Sequence, residues 1–216
     1  ITICSLLIIF SLGYFFHQFM EEYSYKSYLK DAQNCLEEKQ YQCAIVNANL
    51  AEEFNPNTAD LLELKARLFL EYYKNTKKSI EYYSLAIANE PAQGKKALLL
   101  FERAKVYQKQ NDFELCKADL LLASTSKVDS VDLYLAEIYN YRERAYALAI
   151  EHYLREKALL EHSYLLNFGL AFAYYNNREY RKAVPFFSKA IDLVPSSGEA
   201  YYFRGLSYNS INDQSK

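Results

Sequence analysis

The sequence predicts an all-α chain, an array of tandem helix-turn-helix units headed by a membrane-spanning helix. Three observations carry this. The chain of 216 residues is 51% hydrophobic and 16% aromatic, with only 5 Gly and 4 Pro. That supplies a large core and too few turn-formers for many short strands. Small residues and aromatics recur at steps of three and four, the spacing of one helix face. Equivalent positions return after 34 or 35 residues: Ala149 and Ala183, Tyr174 and Tyr208, Pro56 and Pro91. A fixed period of this length marks a repeat architecture.

The first element is the uncharged run ITICSLLIIFSLGYFF, Ile1 to Phe16. As a helix it extends roughly 24 Å against a hydrocarbon core of about 30 Å. Residues 1–20 are therefore read as a transmembrane helix or signal anchor. A cleaved signal peptide, with Ser11–Gly13 as the small-residue site, and a buried terminal helix are the alternatives. Glu21 and Glu22 precede the first lysine, Lys26. The flank lacks the Lys/Arg excess of a cytoplasmic side, which favours a single-pass protein with the rest of the chain outside the cytoplasm.

The helix pairs follow in order. Residues 25–58 carry Ala32, then Tyr41, Ala44, Ala48 and Ala51; residues 59–94 carry Ala66 and Phe69, then Ser79, Tyr83 and Ala86. Residues 97–128 hold Ala104 and Tyr107, then Phe113, Cys116, Leu120 and Ala123. Residues 129–163 hold Leu135, Ala136 and Tyr139, a longer turn NYRERA, then Tyr146, Ala149 and Tyr153, with Glu156 where a small residue is expected. Residues 164–197 hold Leu170, Ala171 and Tyr174, then Ala183, Phe187 and Ala190 on one face, closed by Pro195. Alanine on such a face lets a neighbouring helix approach, and proline ends the run. Pro185, inside that helix, removes a backbone donor and predicts a local irregularity. Residues 198–216 repeat the first helix of a pair, with Gly205 and Tyr208.

In this register residues 25–216 resemble the tetratricopeptide repeat family, most sharply in the fifth pair and in AYYFRGLSY. The departures are Ser79 and Cys116 in place of alanine, Glu156, and two longer turns. The resemblance implies a right-handed α-solenoid of about five repeats and a truncated sixth. It also implies a concave groove, lined by the first helix of each pair, that binds a peptide or helix. Carried over position by position, the groove residues are Phe101 and Lys105; Leu133 and Glu137; Phe168, Phe172 and Tyr175; Tyr202 and Leu206. Leu29, Leu36 and Asn140 fall at groove positions as well. The rival role for Phe168 and Phe172 is packing between neighbouring pairs. Chaperone-binding members of the family grip a C-terminal carboxylate with Lys, Asn and Arg. The matching positions here are Leu29 and Gln33, Leu64, and Leu98 and Glu102, so no carboxylate clamp is expected.

Chemistry beyond binding finds little support. A net charge of -2 and a pI near 6.0 provide no basic field for nucleic acid. The cysteines, Cys4, Cys35, Cys43 and Cys116, include no C-x-x-C pair. Cys35 and Cys43 are read as two small core residues, with a disulfide across a helical hairpin as the alternative. His152 and His162 stand ten residues apart, too far for one helical turn of metal ligands. No H-E-x-x-H, G-x-S-x-G or phosphate loop occurs. The expectation is a membrane-tethered scaffold or adaptor that helps assemble a membrane-associated complex through protein or peptide partners, with no enzyme activity, metal or cofactor. The alternative is a regulatory or substrate-recruiting arm of a larger membrane enzyme whose catalytic part lies beyond Lys216.

Overall fold

The computed structural model describes the backbone of residues 3–126, 128–156 and 162–214, and the side chains of residues 14–126, 128–156 and 162–212. The remaining positions of the expected membrane span and repeats lie outside the described residues. Within the described residues the chain forms eleven α-helices and no strand. It divides into two compact units, Ile1–Asp112 and Phe113–Lys216.

The first unit contains α1 (Ile3–Glu37), α2 (Tyr41–Phe54), α3 (Ala59–Glu71), α4 (Thr76–Asn89) and α5 (Gln93–Lys109). Tyr25, Leu29, Ala32 and Leu36 of α1 pack on Ala44, Ala48 and Ala51 of α2 and on Leu61, Leu64 and Leu68 of α3. Leu62 and Ala66 of α3 continue the core to Tyr83 and Ala86 of α4 and to Leu99 and Val106 of α5. Ala32, Ala44, Ala51, Ala66 and Ala86 are fully buried. At these positions a longer side chain would hold the helices apart.

The second unit contains α6 (Phe113–Ala123), α7 (Val131–Glu137), α8 (Tyr146–Arg155), α9 (Tyr164–Asn176), α10 (Tyr180–Leu193) and α11 (Gly198–Gln214). A π-helical turn, Ile138–Arg142, extends α7. Ala136, Ala149, Tyr153, Leu170, Ala171, Ala183 and Phe187 form the centre of its core. Glu156, where the register calls for a small residue, ends α8. Its carboxylate lies beside the backbone of Ser130 and Leu133 at the start of α7, where Ser130 makes no side-chain cap.

Local devices recur with the period. Thr58, Ser163 and Ser197 each accept a backbone N–H three residues on, from Leu61, Leu166 and Ala200. Two of these caps are tied to a tyrosine: Tyr25 to Thr58, and Tyr164 to Ser197 at 2.7 Å. Helix pairs turn through Lys39, Lys74, Asn111, Arg144 or Arg178, each with a positive φ between 53° and 62°.

Several expectations are corrected. Among the described residues no helix is long and apolar enough to cross a membrane, which overturns the transmembrane helix at residues 1–20 and the single-pass extracytoplasmic placement. The physical reason lies in α1, which does not end with the apolar run but continues unbroken to Glu37. From Tyr14, where described side chains begin, it carries His17, Gln18, Glu21, Glu22 and Lys26 within about four turns. Leu29 and Leu36, placed on the groove by register, are core residues at 8% and 1% exposure. Cys35 and Cys43 are joined as a disulfide across the α1–α2 turn, their Cα atoms 5.8 Å apart. Pro185 lies inside α10, which runs from Tyr180 to Leu193. It stands early in the helix, where only one intrahelical bond depends on its missing donor.

Candidate functional site

In the second unit the first helix of each pair contributes to one partly exposed cluster of rings, referred to as the cleft. On α7, Leu133 and Glu137 stand one turn apart, and the π-helical turn brings Tyr141 next. Tyr141 and Asn140 follow Glu137 by four and three residues, both spacings of one helix face. Asn140, expected on the groove, is only 2% exposed, and its side-chain amide donates to the Gly169 carbonyl at 3.1 Å.

Tyr141 stacks on Phe172 of α9 with ring centroids 5.7 Å apart. Phe168 lies one turn before Phe172 and contacts Tyr164 at 5.7 Å and Phe187 at 5.8 Å. Phe203 of α11 meets Phe172 at 5.1 Å, Tyr175 at 5.4 Å and Phe168 at 6.3 Å, mostly edge to face. Such edge-to-face and offset contacts are the preferred aromatic geometry. Tyr202 touches this assembly through Phe203 at 5.3 Å and is 62% exposed. Leu206 follows one turn later, half-buried.

Ring contacts join Phe168, Phe172, Tyr175 and Tyr202; Leu133 packs on the same core, and Glu137 is near enough for its charge to act on Tyr141. Phe168 and Phe172 pack between helices and keep part of their rings on the surface. Tyr141 and Phe203 belong with them and were missed. Phe203 carried a signal, because it lies 34 residues after Gly169 and adjacent to Tyr202 in the last helix. Tyr141 carried one too, because it follows Glu137 by four residues, a spacing of one helix face. Phe101 and Lys105 lie on α5 in the first unit, where the Lys105 ammonium sits over the Phe101 ring at 5.4 Å and pairs with Glu102 at 2.8 Å. Of the positions tested for a carboxylate clamp, Leu29 and Leu64 are buried in the core.

Close packing beneath the cleft depends on Gly169. A Cβ there would lie 2.5 Å from the Tyr153 hydroxyl and 2.7 Å from its ring carbon. The Tyr153 hydroxyl lies near the side chains of Asn140 and Tyr141, so α7, α8 and α9 meet around it.

The cleft is electrostatically unusual for what it lacks. Among the described residues no cation or side-chain donor is paired with the Glu137 carboxylate, and burial holds its pKa above the ordinary carboxylate range. Half of Tyr141 is exposed, and its hydroxyl lies near that of Tyr153. Burial, then the Glu137 charge, push it up to about 12. Burial raises Tyr175 as well. Away from the cleft, His152 Nδ1 meets Asp132 at 2.5 Å beside Arg155, and its ring stacks on Tyr139 at 5.3 Å. These contacts tie α7 to α8. Among the described residues no group of three or more His, Cys, Asp or Glu side chains could hold a metal ion.

No protein-family model matches the chain. Solved structures do. PilF of Pseudomonas aeruginosa superposes with a TM-score of 0.69 at 18% identity, over 90% of this chain and 87% of that one. YrrB, described as a TPR protein with an unusual peptide-binding site, superposes with a TM-score of 0.65 at 15% identity, over 81% of this chain and 89% of that one. The fold is that of the tetratricopeptide repeat. In sequence, the chain is similar to the Drosophila melanogaster homologue of BBS4, described as a BBSome complex member, with 23% identity over 194 residues. That match takes in 87% of this chain and 38% of the relative, so the tetratricopeptide-repeat chain spans well under half of its curated relative.

Proposed function

We propose that this chain is a protein-binding scaffold, and that the ring-lined cleft of its second unit receives a peptide or helix from a partner within a larger assembly. The observation that carries this reading is the cleft itself. Large rings from α7, α9 and α11 converge while Tyr141 and Tyr202 keep 49% and 62% of their surface exposed. Aromatic side chains with an apolar body and a polar tip are the common anchors of protein interfaces. First helices of successive hairpins present them side by side, the arrangement that suits an extended segment or an amphipathic helix. The likeness to a peptide-binding repeat protein and to a member of a multi-protein complex supports the same direction.

The test is photo-crosslinking from two positions of the full chain. One probe replaces Tyr202 in the cleft; the control replaces Val46, 56% exposed on α2. The proposal expects adducts from position 202 that map to one contiguous segment of one partner, and none of that segment from position 46. Equal capture from both positions, or capture from position 46 alone, contradicts it.

A further inference from the structure

The unpaired carboxylate in the cleft says more about the partner than the rings do. Glu137 is half-buried between Leu133 and Tyr141. Four cations of this unit are engaged elsewhere. Arg142 stacks on Phe113 at 4.0 Å, and Arg204 donates to Ser188 at 3.0 Å while lying over Tyr201. Arg155 pairs with Asp132 and Glu151, and Lys182 with Glu179. A second carboxylate, Glu199 at the start of α11, is near enough for its charge to act on the Tyr141 hydroxyl together with that of Glu137. The cleft therefore joins negative charge to the faces of Tyr141 and Phe172, themselves stacked.

Any apolar segment laid over these rings would strip the remaining water from Glu137. A charge removed from water without a partner is costly, and the cost falls when a cation accompanies the segment. Arginine fits both features, since its planar guanidinium pairs with a carboxylate and stacks on an aromatic face. We propose that the cleft selects a peptide carrying an arginine flanked by apolar residues, with Glu137 as the residue that reads the positive charge. This selectivity rests on the reading of the cleft as a protein-binding surface.

The experiment uses arrays of short synthetic peptides probed with the full chain, with Glu137→Gln and with Phe172→Ala. Each arginine peptide is paired with a copy in which glutamine replaces arginine. The wild type is expected to retain arginine peptides about tenfold better than their glutamine copies, the scale of one charge-assisted pair. Glu137→Gln keeps the shape of the side chain and should retain the same apolar sequences with the arginine preference gone. Equal retention of the two copies by the wild type, or an undiminished preference in Glu137→Gln, overturns the role of Glu137 and leaves the cleft standing. Retention of nothing by the wild type, or identical retention by Phe172→Ala, overturns the cleft as a binding surface and the selectivity with it.

Discussion

At the scale of single residues, Gly169 and Tyr153 define how closely α8 and α9 meet. In an exposed helix, alanine is favoured over glycine by about 1 kcal/mol. At position 169 the sign reverses, because the new Cβ would lie 2.5 Å from the Tyr153 hydroxyl in a fully packed core. Gly169→Ala is expected to destabilise the protein by about 1–3 kcal/mol, the usual range for overpacking, and chemical denaturation of the variant measures it. Glu137 makes a different prediction, in pH. Its folded pKa is raised by burial, so the protonated carboxyl is the form the fold favours. That contribution is complete below the unfolded carboxylate value of about 4.3 and is lost as pH rises through the higher folded value. Glu137→Gln never ionises. Its thermal midpoint should gain on the wild type as pH climbs through that window, then keep a constant lead. A lead that shrinks with rising pH would contradict this. Tyr141 and Asn140 show where sequence reading stops at this scale. They follow Glu137 by four and three residues, spacings that both keep to one helix face, and only the structure shows that Asn140 is the buried one.

At the scale of elements, the hairpins were largely legible. The alanines at positions 32, 44, 66, 86, 149 and 183 mark helix contacts because volume alone decides them, and every one is fully buried. Pro195 lies just beyond α10, and Pro56 and Pro91 just beyond α2 and α4. Other features needed the third dimension. Leu29 and Leu36 share a helix face with positions carried over to the groove, but α1 is turned so that they meet α2 and α3. Glu156 reads as a misfit in the repeat until its place beside the start of α7 is seen. Cys35 and Cys43 stand eight residues apart, a spacing compatible with two free thiols or a bridge. The bridge closes the α1–α2 turn. Closing so short a loop limits the unfolded chain by about 2–3 kcal/mol in the chain-entropy account. Reduction, or the pair Cys35→Ser with Cys43→Ser, should lower the denaturation midpoint accordingly. Both treatments should agree, since α1 and α2 also share the buried Ala32, Ala44 and Ala48. An unchanged midpoint would show the thiols to be unlinked.

At the scale of the whole molecule, the period of 34 or 35 residues proved the most informative feature of the sequence. A hairpin with one apolar face cannot bury it alone, and regular stacking solves that problem for each hairpin in the same way. The apolar start misled for the opposite reason. Counting uncharged residues measures a run in isolation, whereas α1 carries it straight into a polar, then repeat-forming, helix. Residues facing the cleft were only partly legible, because rings that bind and rings that pack follow one pattern. Tyr202 separates these roles best: it is 62% exposed and touches the cleft through Phe203, so its loss should spare the fold. The decisive measurement is the affinity of the crosslinked partner segment for the wild type and for Tyr202→Ala, with thermal midpoints recorded alongside. An interface anchor predicts a loss of about 2 kcal/mol, roughly thirtyfold in Kd, at an unchanged midpoint. An unchanged Kd would place the binding surface elsewhere and contradict the account.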